Sequence, residues 1–451
     1  MTIQEAAARL RRGETSCVQL LEAAHARIAE LDDHLNAFIS VIDQPAAAQA
    51  QLLDDELARG RDRGPLHGIP IAIKDNLATR GIRTTMGSRL FENWIPDYSA
   101  AAVQRLEEAG AILVGKANLH ELAYGITSSN PHFGTVRNPH DPSRIPGGSS
   151  GGSAVAVATG MALGALGTDT GGSVRIPAAF CGVCGLKPTY GFVDRAGCFP
   201  LGLSLDHVGP LAATVGDLVF LMRALVPNAE FPLEPAPLKG LRIGWHEDFF
   251  LSNVEPAVRS AALNALQSLA QAGAQIVSLP LPSMAEVNTV ARLILLAEAS
   301  AVLERYMDRR EQIGKDVRLL LEQGRALPAV DYINAQRARA RLADQFAACF
   351  SSMDALLTPT TPCAAPKIGQ RTLTLDGREE DVRLASTRFV RGFNLLGYPA
   401  LALPWGADAQ GLPLSLQLIG RPGADAQLLR LGLAIEQLRS ELLSAGGPSA
   451  G

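Results

Sequence analysis

The chain has no acidic or basic block. Its 41 Lys and Arg stand against 45 Asp and Glu, and charged residues make up only 19% of the sequence. A protein whose main partner is nucleic acid would carry a basic stripe, so no direct nucleic-acid contact is expected. Aromatic residues are few, at 5%. The longest apolar stretch, Ala154 to Gly167, is short and built of small residues, so no membrane span is expected. The first residues, Met1-Thr2-Ile3-Gln4-Glu5, lack the basic-then-apolar order of a secretory signal, and a cytoplasmic protein is the simplest reading. Cys17, Cys181, Cys184, Cys198, Cys349 and Cys363 are too scattered over 451 residues to resemble a secreted disulfide framework. Cys181-Gly182-Val183-Cys184 has the spacing of half a zinc site, but no second ligand pair completes it. Small buried thiols fit better, and neither a metal nor a cofactor is expected.

What the chain does have is apolar bulk and glycine: 47% hydrophobic residues and 43 Gly. Residues 2 to 60 read as helices, with Thr2 and Glu5 as a capping box, Ser16 before a second helix, and an alanine-rich third from about Pro45 to Arg59. Strand and helix then alternate. Ile69 to Lys74 is a short strand, Ser99 caps an amphipathic helix ending at Gly110, and Ala111 to Val114 is a buried strand. Residues 125 to 152, rich in Gly, Pro, Ser and Asn, form a long ordered loop. Small residues from Ser153 to Met161 predict a tightly buried helix, and Ala165 to Thr168 a core strand. Further on, strands fall at Leu241 to Gly244, Ala274 to Leu279, Ala355 to Leu357, Ala400 to Leu403 and Leu414 to Ile419. Helices fill Glu255 to Gly273 and much of 283 to 350. The alternation implies an α/β fold with a mostly parallel or mixed sheet. The Pro-rich segment Val226 to Leu238 reads as a surface excursion within one domain, since strand-helix units continue on both sides.

The chemistry concentrates in three places: Lys74 at the end of Pro70-Ile71-Ala72-Ile73-Lys74, Ser149 within Gly147 to Ser153, and Ser173 after Gly171-Gly172. Glycines let backbone N–H groups approach a substrate, and several N–H groups facing one point stabilise an oxyanion. The same glycines also suit a tight turn, or an anion site before a helix, though no P-loop string occurs and the spacing does not fit a dinucleotide fingerprint. Lys74 alone reads first as a solvated lysine beside Asp75; to act as a base it must be buried and neutral. A Ser-His-Asp triad is compatible with the eight histidines, but no Gly-x-Ser-x-Gly elbow is present. His120 beside Glu121 and Asp206 beside His207 read as structural polar contacts.

Taken together, Leu66 to Asn76, Gly147 to Ser153, Gly167 to Pro177 and Cys184 to Thr189 resemble the amidase signature family. The likeness is dense from about 65 to 215 and looser beyond, where Leu357 to Pro362 and Gly411 to Gly420 carry it. It implies a single amidase-signature domain over residues 1 to 451, with N-terminal helices over 1 to 60 and a C-terminal part, 240 to 442, that adds to the sheet and the pocket. Residue by residue, it makes Lys74 the base, Ser149 the bridging serine on a cis peptide, and Ser173 the nucleophile. The backbone N–H groups of Thr170, Gly171, Gly172 and Ser173 become the oxyanion hole. Ser150 would support the relay, and Asp169 would pair with Arg175 to hold the loop. Tyr124, Ile126 and Ser128 would lie near the acyl side, joined by Phe389, Phe393 and Leu395, and such a lining favours small aryl or alkyl amides.

The implied function is an amidase taking a small-molecule amide to acid and ammonia or amine through an acyl-enzyme. The alternative is a protein resembling the glutamyl-tRNA amidotransferase A subunit, which releases ammonia from glutamine within a tRNA-binding complex. A third class, a non-enzymatic nucleotide-binding or interaction protein, rests on reading the glycine loops as structural or anion-binding. The sequence is silent on oligomeric state; a homodimer is the one assembly considered.

Overall fold

Pro70–Lys74 is buried at every residue, which is what a strand covered on both faces requires. In the computed structural model, which describes residues 1–444, that strand lies inside an 11-stranded sheet. From edge to edge the strands are Phe38–Val41, Ile112–Ala117, Pro70–Lys74, Gly164–Asp169, His207–Ala212, Cys184–Lys187, Ala400–Ala407, Pro413–Ile419, Ala355–Pro359, Arg242–Trp245 and Gln275–Ser278. Pro70–Lys74 is parallel to both its neighbours, so those three strands end on one side of the sheet. The middle of the sheet is antiparallel, and Ala355–Pro359, Arg242–Trp245 and Gln275–Ser278 are again parallel. The sheet is mixed and helices cover it, as a single α/β domain of the expected class.

The N-terminal helices are Ile3–Arg11, Cys17–Leu35 and Gln44–Ala58, the first two with complete capping boxes at Thr2/Glu5 and Ser16/Gln19. Between them sits an edge strand, Phe38–Val41, absent from the all-helical reading of residues 2 to 60; four residues in one antiparallel pairing leave too short a pattern. Ser99 does not cap the helix Ala101–Glu108. Its Oγ accepts instead from the Arg80 N–H at 3.0 Å, and Ala100 holds the cap position. His207–Ala212 escaped the sequence reading because Gly209 and Pro210 are unusual in a central strand. The glycine is needed there: a Cβ at 209 would come within 2.2 Å of the Leu186 carbonyl oxygen.

The helix Gly151–Ala158 is buried nearly throughout, and its small residues are dictated by what surrounds it. A Cβ at Gly152 would lie 2.2 Å from the Ala37 carbonyl oxygen and 2.5 Å from that of Asn118, both fixed backbone atoms. Glycine therefore brings this helix, with Ser149 and Ser150 at its N-terminal end, close to the parallel strands. Helix propensity alone would make Gly152→Ala stabilising by about 1 kcal/mol. The clash reverses that sign, with an expected loss of about 1–3 kcal/mol. A urea midpoint for the variant above that of the parent would contradict this packing.

Candidate active site

Lys74 is fully buried, at the carboxyl end of its strand. Its Nζ donates to Ser149 Oγ at 2.7 Å and to Thr168 Oγ1 at 2.7 Å, and lies 3.4 Å from the Thr168 carbonyl oxygen. Burial pulls its pKa down to about 7, against the smaller upward pull of Cys198, Asp169 and Asp206. The adjoining Asp75 turns away from it and pairs with buried Lys116, Nζ to Oδ1 3.5 Å. Asn76 Nδ2 also donates to Thr168 Oγ1, at 3.0 Å. Thr168 is thus the side chain beside Lys74 that motif matching passed over; its signal was a hydroxyl near the end of the core strand Gly164–Asp169.

Ser149 follows a cis peptide bond, Gly148–Ser149. Its loop is tied to the Ser173 turn through the main chain, since the Ser150 N–H donates to the Ser173 carbonyl oxygen at 3.1 Å. The Ser150 hydroxyl bonds to the Thr168 main chain, 3.2 Å to the carbonyl oxygen and 3.3 Å from the N–H. Ser128, expected in the pocket, faces this loop: its Oγ donates to the Gly147 carbonyl oxygen at 2.8 Å and accepts from the Gly151 N–H at 3.2 Å.

Asp169 and Arg175 hold the turn that carries Ser173. Both are fully buried, and Arg175 meets the carboxylate with Nη2 at 2.9 Å and Nε at 3.0 Å. Burial by itself would raise the Asp169 pKa. The ion pair, the Arg175 hydrogen bonds and that of Asn394 outweigh it and hold the carboxyl well below the usual range. Asp169 also accepts from the backbone N–H groups of Gly172 at 2.8 Å and Val174 at 3.1 Å. Gly172 has φ +120°, and a Cβ there would sit 2.4 Å from Val390, so this turn needs glycine. Of the four N–H groups expected to face an oxyanion, that of Gly172 is therefore taken by Asp169. Those of Thr170, Gly171 and Ser173 have no partner within the chain among the described residues. The Ser173 hydroxyl makes no hydrogen bond to Ser149 or Lys74 among the described residues. It lines a cavity instead.

That cavity has a volume of about 60 Å³ and runs from Thr170, Gly171 and Ser173 past Tyr124 and Ile126 to Leu201, Leu295, Leu296 and Leu320. Tyr124 and Ile126 both belong to this lining. Phe389 and Phe393 are not in the lining. Phe389 packs edge-on against Phe249 and Phe250, and Phe393 against Phe346, all in the main core. Leu395 is likewise a core residue. Three arginines, Arg292, Arg383 and Arg391, also line the cavity, so charge is added to an aromatic and aliphatic lining. They come from two distant stretches of chain, one of them the helix Met284–Leu303, and no motif marks them.

No histidine lines the cavity. His120 pairs with Asp316, His132 with Glu121, and His207 lies 3.2 Å from Lys187 Nζ. All six cysteines are free, and no group of His, Cys, Asp and Glu among the described residues could hold a metal. No described helix is long and apolar enough to cross a membrane.

The comparisons with known proteins agree with one another. The family model Amidase matches residues 19–429. The chain is 38% identical to the A subunit of the glutamyl-tRNA(Gln) amidotransferase of Carboxydothermus hydrogenoformans, over 97% of each chain. Among solved structures it is similar to a crystal structure of an amidase, with 40% identity and a TM-score of 0.92 over 97% of this chain and 99% of that one. It is similar also to the amidotransferase A subunit of Thermotoga maritima, with 34% identity and a TM-score of 0.78 over 97% and 94%. A match over nearly the whole length, on a sheet of this order, places the chain in the amidase family.

Proposed function

We propose that the protein hydrolyses a small carboxylic amide to an acid and ammonia or an amine, through an acyl-enzyme on Ser173. The observation that carries the reading is the 2.7 Å hydrogen bond between Ser149 Oγ and a lysine whose pKa burial has lowered to about 7. A lysine that is substantially neutral near pH 7 accepts a proton; an ordinary one does not. In the proposed relay, Ser173 Oγ attacks the carbonyl carbon and its proton passes to Ser149, whose own proton passes to Lys74. The developing oxyanion is held by the N–H groups of Thr170, Gly171 and Ser173. The relay then returns a proton to the leaving nitrogen, and water later hydrolyses the acyl-enzyme. The Ser173–Ser149 hydrogen bond would form with substrate bound, as catalytic hydrogen bonds are often loose in free enzymes. Asp169 and Arg175 are positioning residues that fix the turn.

A second reading is an A-type amidotransferase component that releases ammonia from glutamine within a tRNA-dependent complex. The curated relatives bear that name, and they support it better than they support a free-standing amidase. The cavity favours the first reading: three arginines and no acidic side chain give the α-ammonium of glutamine no partner. The higher TM-score to the amidase structure points the same way.

Two outcomes are expected. Ser173→Ala should lose labelling by a fluorophosphonate probe and at least about 10³-fold in amide turnover, both measurable on the purified chain; undiminished labelling of the variant would exclude this nucleophile. The pH dependence follows from the sign of the lysine shift. The active form is neutral, so kcat/KM should be level above pH 7 and fall about tenfold per pH unit well below it. A profile that stays flat to pH 5 under conditions where chemistry limits would contradict the lysine base.

A further inference from the structure

The cavity beside Ser173 contains more positive charge than the fold uses. Arg391 is only 8% exposed, and among the described residues its one side-chain hydrogen bond runs from Nη2 to Thr387 Oγ1 at 2.5 Å. Its Nε is buried without a hydrogen-bond partner among the described residues. Arg383 and Arg292 line the same space, and both act on Arg391 as like charges; after burial they are the main reason its pKa falls, to about 10. The one group that offsets them is the Tyr124 hydroxyl, itself held neutral by burial, so the cluster carries no carboxylate of its own. Two other fully buried cations have carboxylate partners, Arg175 on Asp169 and Lys116 on Asp75. An unpaired buried donor and three like-charged side chains on one small cavity are costly to keep, unless an anion completes them.

The placement says where that anion comes from. A Cβ at Gly171 would lie 3.8 Å from both Arg391 Nε and Cγ, so the guanidinium begins beside the turn that bears Ser173. A cavity of about 60 Å³ has room for roughly four to six waters, at about 10–15 Å³ each, and so for a short substrate. Resting on the amidase reading above, we infer that the substrate is an amide carrying a carboxylate a few carbons from the scissile bond, held by Arg391 with Arg383 and Arg292. A monoamide of a short dicarboxylic acid has this form. Water adds across its C–N bond; the carbonyl carbon leaves as a second carboxylate and the nitrogen as ammonia, which takes up a proton. The planar guanidinium fork matches a carboxylate, and a short cavity leaves little room for a larger anion.

Succinamate and butyramide test this, because they differ mainly in a carboxylate against a methyl. The parent protein should show a kcat/KM for succinamate about 100-fold above that for butyramide, with most of the difference in KM. Arg391→Gln and Arg383→Gln should each lower the succinamate value about tenfold or more and shrink the ratio, while Arg391→Lys should keep part of it. Thermal melting of each variant checks that it is folded, and the half-buried Arg383 and Arg292 provide substitutions that do not disturb the core. A ratio near one, or a ratio indifferent to all three arginines, would overturn the inference while leaving amidase activity intact. Calorimetric titration of succinate into Ser173→Ala separates binding from chemistry. Binding that is lost on adding Arg391→Gln supports the anion site even if no amide is turned over, an outcome that would reject only the amidase reading. No binding, or inorganic phosphate binding as tightly as succinate, would overturn the carboxylate assignment.

Discussion

Asp169 has no exposure to solvent and yet is held ionised, and the rest of the site is built around the arginine that makes this tolerable. Arg175 contacts both carboxylate oxygens, and its remaining donors reach the Val390 carbonyl oxygen, Gln417 Oε1 at 2.6 Å and Asn394 Oδ1 at 2.7 Å. One ion pair thus fastens the end of a central strand, the glycine turn after it, and two C-terminal elements of the sheet region. Removing one partner of such a buried pair leaves a bare charge and typically costs about 3–5 kcal/mol. The C-terminal part of the chain is bound to the signature segment by this network, beyond its strands pairing in the same sheet.

Four buried cations of the protein, Arg175, Lys116, Lys74 and Arg391, differ in what they face. Arg175 and Lys116 are paired with carboxylates and keep structure. Lys74 has no carboxylate in contact; its neighbours are hydroxyls and a carbonyl oxygen, so desolvation dominates and its charge is weakened. Arg391 also lacks a carboxylate among the described residues, but a guanidinium with a pKa of about 10 stays protonated at neutral pH. The first kind keeps structure; in the proposed reading the second would move a proton and the third would hold an anion. The same low-dielectric surroundings produce all three outcomes; the local partners decide between them.

Much of the site could be read in the residues. Lys74 ends an apolar run that a buried strand accommodates, and Gly171, Gly172 and the Gly147 to Ser153 loop mark where backbone must come close. The sheet class followed from the alternation of elements. The reading failed where local pattern and tertiary role part company. Phe389 and Phe393 look like pocket aromatics in a C-terminal segment, yet their rings complete the main core. Ser128 has the right neighbourhood but the wrong direction, held by the Gly147 carbonyl. Thr168 sits inside a signature segment without standing out in it, and no motif marks Arg391, because what matters at both is what they face.

The sequence by itself determined the mixed α/β architecture, the three segments that hold Lys74, Ser149 and Ser173, and the glycines their approach requires. Composition, periodicity and short spacing act along the chain, so they are legible there. Only the tertiary structure decided that Lys74 faces hydroxyls while Asp75 faces Lys116, that the Gly172 N–H belongs to Asp169, and that three arginines from distant stretches share one small cavity. Charge and desolvation depend on distances across the fold, and no one-dimensional pattern records them.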